Sequence, residues 1–166
     1  MIHPLAHVEH SQLGEGTKVW QFASVIRGSK TGLNCNIASC AIIDGAVLGD
    51  DCLIGHGSSV HPGTKIGHRV FVGPCVIFCN DMWPRVSKEG FDINALLSGN
   101  WTSIRVENDV SIGAGCVVLP GVLIGEGSVI AAGSRVDRSV PAHSLQKPSG
   151  EIVKLAPRVP DRMRDA

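Results

Sequence analysis

The stretch from Ile37 to Val72 reads "IASCAIIDGAVLGDDCLIGHGSSVHPGTKIGHRVFV". An aliphatic residue recurs in it at every sixth position, with a single five-residue step that ends at Leu48. The same spacing extends outward to Leu13 on one side and, after an interruption, to Ile130 on the other. The series is Leu13, Val19, Val25, Thr31, Ile37, Ile43, Leu48, Ile54, Val60, Ile66, Val72, Val106, Ile112, Val118, Ile124 and Ile130, and Thr31 is its one non-aliphatic member.

A second position of the repeat is occupied only by small residues. Four residues after each member of the series stands Ser, Thr, Ala, Val or Cys: Thr17, Ala23, Ser29, Cys35, Ala41, Val47, Cys52, Ser58, Thr64, Val70, Val76, Val110, Cys116, Val122, Ser128 and Ser134. Three of the six cysteines fall in this phase, which predicts that they are small buried core residues.

A six-residue unit with one aliphatic and one small inward position is a short strand followed by a corner. Glycine, aspartate and asparagine gather at the corners, where a positive φ is useful. Three units form a triangular coil of about 18 residues, and successive coils stack as parallel strands. The sequence therefore predicts an all-β protein folded as a parallel β-helix. A β-sandwich would instead show alternation with a period of two, broken by hairpin turns.

Two segments depart from the repeat. A loop insertion at 78–105 carries two of the three tryptophans, and long loops inside compact repeats are usually functional. After Val140 the pattern stops. We therefore divide the chain into a β-helix domain at 1–140, interrupted by this loop, and a C-terminal extension at 141–166. The extension is expected to cross the end of the helix and to form a short strand at Glu151–Leu155.

The composition narrows the classes of partner and compartment. Lysine plus arginine and aspartate plus glutamate both number 15 in a chain of 166 residues. This balance argues against a nucleic-acid or membrane partner. No apolar run is long enough to span a bilayer, and the N-terminal residues do not resemble a signal peptide. We therefore expect a cytoplasmic protein whose six cysteines are reduced.

His56 and His61 lie outside the inward positions and can point away from the core. One coil back from His61, counting the short step, the repeat reaches Asp44. One coil forward from Val60 it reaches Phe78, where the long loop departs. We therefore expect both histidines, Asp44 and the loop to share one edge of the prism. Two solvated surface histidines remain the simpler alternative.

Three stretches resemble the hexapeptide-repeat acyltransferases: "IHPLAHVEHSQLGEGTKVWQF" (2–22), "VFVGPCVIFCNDMWPRVS" (70–87) and "VSIGAGCVVLPGVLIGEGSVIAAGSRVDRSVPAHSL" (110–145). They are most similar to the branch that N-acetylates nucleotide-linked 3-amino sugars for surface polysaccharides such as the lipopolysaccharide O-antigen. The resemblance implies a left-handed β-helix, a homotrimer with ligand sites in the clefts between prisms, and acetyl-CoA as co-substrate. The sugar nucleotide would be UDP- or dTDP-linked. In that branch an asparagine often stands near the place that His56 holds here.

The resemblance also implies roles for individual residues. His56 would take the proton of the sugar ammonium group, as an imidazole can near neutral pH, and His61 or Asp44 would orient it or bind the sugar. A corner backbone N–H would stabilise the oxyanion. The expected sugar or nucleotide contacts are Asn80, Asp81, Trp83 and Arg85, although Trp83 could equally wedge the loop. The expected CoA contacts are Gly113, Ala114, Ala131, Ala132, Arg135, Arg138 and Lys147. For these the alternatives are ordinary corner residues and solvated surface charges.

Two other classes of function are possible. The segment 54–73 and "VWQFASVIRG" (19–28) also resemble γ-class carbonic anhydrases, which share the prism and a His-x4-His segment. Their third histidine is replaced here by Asp44, so that reading requires a metal bound by His56, His61 and Asp44. A non-catalytic trimeric scaffold is the third class, and it gives no reason for a long loop beside ionisable groups.

Overall fold

The computed structural model describes residues 1–87 and 102–155, and these residues form a triangular prism of three β-sheets without a helix. Face I contains β2 Lys18–Val19, β5 Asn36–Ile37, β8 Leu53–Ile54, β11 Phe71–Val72, β14 Ser111–Ile112, β17 Val129–Ile130, β19 Ser144–Gln146 and β20 Ile152–Lys154. Face II contains β1 His7–Val8, β3 Ser24–Ile26, β6 Ile42–Asp44, β9 Ser59–Val60, β12 Ile77–Phe78, β15 Val117–Val118 and β18 Arg135–Val136. Face III contains β4 Lys30–Thr31, β7 Val47–Leu48, β10 Thr64–Ile66, β13 Ile104–Val106 and β16 Leu123–Ile124.

The chain visits the three faces in turn, so every strand except β20 pairs in parallel with the strand one coil away. The parallel β-helix of hexapeptide repeats that the sequence predicts is confirmed. We name each corner by the faces that it joins: I–II, II–III and III–I. The long insertion leaves after β12 at corner II–III and returns just before β13 on face III. Of the insertion, 88–101 lies outside the described residues.

The repeat positions build the core in the predicted way. Every member of the aliphatic series except Leu13 is buried, and Leu13 is partly covered at the end of the prism. Cys35, Cys52 and Cys116 are buried core residues, as the repeat predicts. Burial raises the pKa of the Cys116 thiol, so this side chain behaves as an apolar core group rather than as a reactive thiolate.

The prediction of the small inward residue after Ile43 is wrong by one position. The sequence assigns Val47 to the core, but Val47 is 41% exposed and Ala46 is buried in its place. The five-residue step that ends at Leu48 removes one residue of the corner between β6 and β7. The small inward residue therefore stands two residues before the next aliphatic position, Leu48, as elsewhere in the repeat. It does not stand four residues after Ile43.

The stacking continues beyond Val140. Strand β19 pairs in parallel with β17, which adds one more rung to face I. Strand β20 then pairs with β19 in the antiparallel direction and lies within the predicted strand at Glu151–Leu155. The division of the chain into 1–140 and 141–166 as separate units remains a prediction, and 156–166 lies outside the described residues.

Candidate active site

Corner II–III brings His61 and Asp44 together on adjacent coils. The pairing of β6 with β9 matches Ile43 with Val60, so Asp44 lies directly beneath His61 as the repeat predicts. The Asp44 side chain is only 6% exposed. Its Oδ2 forms an ion pair with Arg27, and its Oδ1 is buried without a hydrogen-bond partner among the described residues. A buried carboxylate oxygen without a partner is costly, and such atoms are concentrated at sites that receive another group.

Arg27 also belongs to this corner, although the repeat pattern gives no reason to assign it to the site. Its backbone has φ of 54°, a left-handed conformation that is uncommon for a residue other than glycine. Its guanidinium is largely exposed, with a side-chain relative exposure of 70%, while it holds the buried carboxylate of Asp44. The one signal in the sequence is the arginine near the end of "VWQFASVIRG", a stretch that points to the carbonic anhydrase resemblance rather than to this role.

Thr64 supplies a second unpaired oxygen near the same corner. Its N–H donates to the carbonyl oxygen of His61 at 3.2 Å, which closes the turn between β9 and β10. Its Oγ1 is buried and has no hydrogen-bond partner among the described residues. Asp44 Oδ1, the His61 imidazole and the Arg27 guanidinium thus lie at the corner where the long loop begins, whereas Thr64 occupies a small inward position of the core beside it. The arrangement can accept hydrogen bonds from hydroxyl or ammonium groups.

Removal of Arg27 should leave a buried charge without a counterion. We expect Arg27→Ala to destabilise the fold by about 2–3 kcal/mol, because Asp44 would keep its desolvation cost and lose its partner. Adding Asp44→Asn should recover most of the loss. The measurement is thermal unfolding at fixed protein concentration, with Lys18→Ala as an exposed control. Equal losses in Arg27→Ala and in the double variant would contradict this account of the pair.

His56 lies at a different corner from His61. It follows β8 at corner I–II, whereas His61 follows β9 at corner II–III, so the two-residue strand and its flanking turn separate them. Five residues of extended chain span up to about 16 Å. The expectation that both histidines share one edge is therefore wrong for His56. The physical reason is that three hexads complete one coil, so histidines one hexad apart occupy neighbouring corners.

The expected CoA contacts Ala114 and Ala132 lie in the same corner column as His56. The column is joined by backbone hydrogen bonds: Cys75 N–H donates to the His56 carbonyl, and Gly133 N–H donates to the Ala114 carbonyl. Gly113 and Ala131 begin the turns of the same two coils. A Cβ on Gly113 would lie 2.4 Å from the backbone nitrogen of Ala132, so only glycine fits there. Bare backbone and methyl groups thus lie above His56.

The three cations expected to bind CoA phosphates have partners within the chain. Arg135 forms an ion pair with Asp137 at 2.7 Å, and Lys147 forms one with Glu151 at 3.0 Å. The Arg138 guanidinium donates to the carbonyl oxygen of Gly150. All three interactions are exposed and therefore contribute little stability, so a phosphate group could compete for these side chains.

The four loop residues expected to contact the substrate lie in the first part of the insertion, which leaves the prism at corner II–III. Ser103 Oγ donates to the Asn80 carbonyl at 3.4 Å, which ties the start of the insertion to its end. Asp81 Oδ1 accepts from the Trp83 N–H at 2.8 Å in a tight turn. Trp83 is 78% exposed, and Arg85 is also exposed. Trp83 does not wedge the loop against the part of the prism that the structure describes.

The set proposed for a metal site is divided between two corners. His61 and Asp44 share one corner, His56 lies at another, and one oxygen of Asp44 is already engaged by Arg27. Across residues 1–87 and 102–155, no three His, Cys, Asp or Glu side chains converge as metal ligands would.

Within the described residues 1–87 and 102–155, no helix has the length and apolar character needed to traverse a membrane.

Comparison with known proteins agrees with the fold. Residues 45–80 and 103–138 match the bacterial transferase hexapeptide family (six repeats). A bifunctional protein GlmU of Polaromonas naphthalenivorans is 29% identical over 161 residues, which cover 94% of this chain and 30% of GlmU. The chain thus spans about a third of the length of the curated relatives it matches.

Two solved structures are similar to the prism. One is a mutant perosamine N-acetyltransferase from Caulobacter crescentus in complex with CoA and GDP-perosamine. It is 25% identical with a TM-score of 0.56, and the match covers 92% of this chain and 55% of that one. The other is a mutant of AntD, an N-acyltransferase from Bacillus cereus, in complex with dTDP and coenzyme A. It is 18% identical with a TM-score of 0.71, and the match covers 87% and 83%.

Proposed function

We propose that this chain, which belongs to the hexapeptide-repeat proteins, is an acetyl-CoA-dependent N-acetyltransferase acting on the amino group of a nucleotide-linked sugar. The observation that carries the proposal is the buried carboxylate of Asp44. One of its oxygens is held by Arg27, and the other lies unpaired beneath His61 where the loop begins. The similar Caulobacter protein, which binds CoA and GDP-perosamine, supports this substrate class.

The reaction needs a deprotonated amine, a thioester and a place for the displaced thiolate. His56 takes a proton from the sugar ammonium group, and the free amine attacks the acetyl carbonyl carbon. The carbonyl oxygen becomes an oxyanion that a corner N–H stabilises. The C–S bond then breaks, and the departing thiolate takes the proton that the new amide nitrogen loses, so that CoA leaves as the free thiol. The unpaired oxygen of Asp44 and the imidazole of His61 hold the sugar by its hydroxyl or amino groups.

A homotrimer would bring corner I–II of one copy, which carries His56, next to corner II–III of another copy, which carries His61 and Asp44. Apart from Asp44 at corner II–III, the outward positions of face II between its two ends are uncharged, and they include Ser24, Ile42, Ser59, Ile77 and Val117. Ile42 is 38% exposed and Ile77 is 42% exposed, so this face suits contact with other copies. If three copies turn face II toward a common axis, corner I–II of one copy meets corner II–III of the next. His56 would then act beside His61 and Asp44 of its neighbour.

The choice of nucleotide, sugar and biological role rests on the resemblance of residues 2–22, 70–87 and 110–145 to the 3-amino-sugar N-acetyltransferases. We propose a UDP- or dTDP-linked 3-amino sugar as substrate and a role in surface polysaccharide synthesis in the cytoplasm. The loop residues Asn80, Asp81, Trp83 and Arg85 would contact the sugar or the nucleotide. The backbone at Gly113, Ala114, Ala131 and Ala132 would accept the CoA arm, and Arg135, Arg138 and Lys147 its phosphates.

The test is release of free CoA from acetyl-CoA in the presence of a panel of amino sugars linked to UDP, dTDP or GDP. We expect one sugar to give rapid thiol release and an N-acetylated product by mass spectrometry. No release with any member of the panel would refute the proposal. A stoichiometric transition metal, lost in His61→Ala, would instead favour the carbonic anhydrase-like alternative. The absence of both thiol release and a bound metal would favour a scaffold.

A further inference from the structure

Face III carries an unusual row of positive charge. Its outward positions, read across neighbouring strands, are Lys30, Val47, Lys65, Arg105 and Leu123. Lys65 and Arg105 lie directly opposite each other on the paired strands β10 and β13. Like charges in that position repel and destabilise a sheet unless something offsets them. In the described part of the chain, face II has no comparable pair: Asp44, its one charged strand residue between the two ends, stands opposite Ile26.

Neither cation of this pair, Lys65 or Arg105, forms a direct ion pair with a residue that the structure describes. Two acids, Glu107 and Glu126, line the same groove as the cations, and Oε2 of Glu107 accepts the backbone N–H of Glu126 at 3.1 Å. The two cations therefore face each other without a direct ion pair, although carboxylates lie in the same groove.

A groove of about 330 Å³ runs along this surface and is lined by both cations. Asn108 also lines the groove, and its Oδ1 accepts the N–H of His68 at 2.8 Å. Its side-chain amide N–H groups therefore remain as donors. Glu107 and Glu126 line the groove as well. The groove thus offers a lysine, an arginine and an amide to a group with several acceptor oxygens, and it also contains two carboxylates.

We propose that Lys65 and Arg105 form a binding site for a diphosphate ester, the chemical group that nucleotide-linked sugars and CoA share. Strand β10 follows corner II–III directly, and four residues separate Lys65 from His61, a span of at most about 14 Å. The rest of the groove lining lies at corner III–I, so the nucleoside would occupy that end and the attached sugar would extend back across face III toward Asp44 and His61. The expected CoA contacts Ala114 and Ala132 lie at corner I–II, so the sugar nucleotide is the favoured source. Only this assignment of the source rests on the proposed function.

The first test separates the two sources by kinetics. The variant Lys65→Gln/Arg105→Gln should raise the KM for the nucleotide sugar by about tenfold or more, because two charge-assisted contacts are lost. The KM for acetyl-CoA and kcat should change by less than about threefold. A rise in the KM for acetyl-CoA alone would keep the diphosphate site and assign it to CoA. The control is Lys18→Gln/Lys154→Gln, which removes two exposed cations from face I.

The second test does not depend on activity. Inorganic pyrophosphate, titrated into the full chain by calorimetry, should bind the wild type and the control variant, and binding should weaken about tenfold or more in Lys65→Gln/Arg105→Gln. This result would stand even if the protein acetylated no sugar, so the two proposals can fail separately. Equal affinity in all three proteins, no binding to the wild type, or equal weakening in the control would overturn the diphosphate site.

Discussion

Replacing His56 with alanine is expected to lower kcat for acetyl transfer by about 100-fold or more, because the attacking amine would lose its general base. The fold should survive, since His56 is exposed and its backbone carbonyl, not its imidazole, makes the hydrogen bond to Cys75. The rate is measured as thiol release at saturating acetyl-CoA and sugar nucleotide. A fall in kcat with little change in either KM would place His56 at the reacting atoms rather than at a binding contact.

The matched control is His7→Ala. His7 is also an exposed histidine on the prism, but it lies in β1 at the far end, where its Nε2 approaches Glu9 at 3.4 Å. It should retain the wild-type rate. An unchanged kcat in His56→Ala would show that water or the departing thiolate accepts the proton, and it would remove His56 from the chemistry.

Mixing two inactive variants should restore activity, because His56 and His61 lie at different corners. We expect co-expression of His56→Ala chains with His61→Ala chains to give trimers in which a site forms from the intact histidine of each. With random assembly, roughly three quarters of the trimers contain both chains, and each of these has one intact junction of three. The mixture should therefore recover about a quarter of the wild-type activity, against almost none for either variant alone.

The result distinguishes a shared site from a site within one chain. If His56 and His61 acted in the same chain, every chain of the mixture would lack one of them, and activity would stay at the level of the single variants. A useful control combines His56→Ala with His56→Ala/His61→Ala, in which no junction carries both histidines. Separately tagged chains, purified through both tags, confirm that mixed trimers have formed.

The fold was predictable because each aliphatic position of the repeat corresponds to one residue of the core. Residues such as Ile54 and Val60 must be aliphatic since each fills one slice of a narrow interior, and the six-residue spacing follows from the length of a face and its corner. The error at Val47 has the same origin: when a corner loses a residue, the inward positions follow the next strand, as Ala46 does. The rung at β19 was harder to see because its inward residue, Gln146, is polar and the spacing to Ile130 is irregular.

The site was predictable only in part, because its members belong to different coils and corners. Counting coils placed Asp44 beneath His61 without any structure. The count of corners separates His56 from His61 in the same way, since successive hexads occupy successive faces. Arg27 could not be assigned from its own surroundings in the sequence, because its partner is 17 residues away and reaches it only through stacking.

The antiparallel strand β20 has a consequence for the behaviour of the protein at high concentration. A stack of parallel coils ends in a row of unpaired backbone groups, and such an open edge can recruit another molecule and grow into a fibre. On face I that edge is closed by Ile152–Lys154, whose reversed direction presents a hydrogen-bond pattern that a further parallel coil cannot continue. The C-terminal strand thus caps the exposed edge of the sheet and prevents further molecules from adding to it. Truncation before Ile152 should therefore cause the protein to aggregate at high concentration.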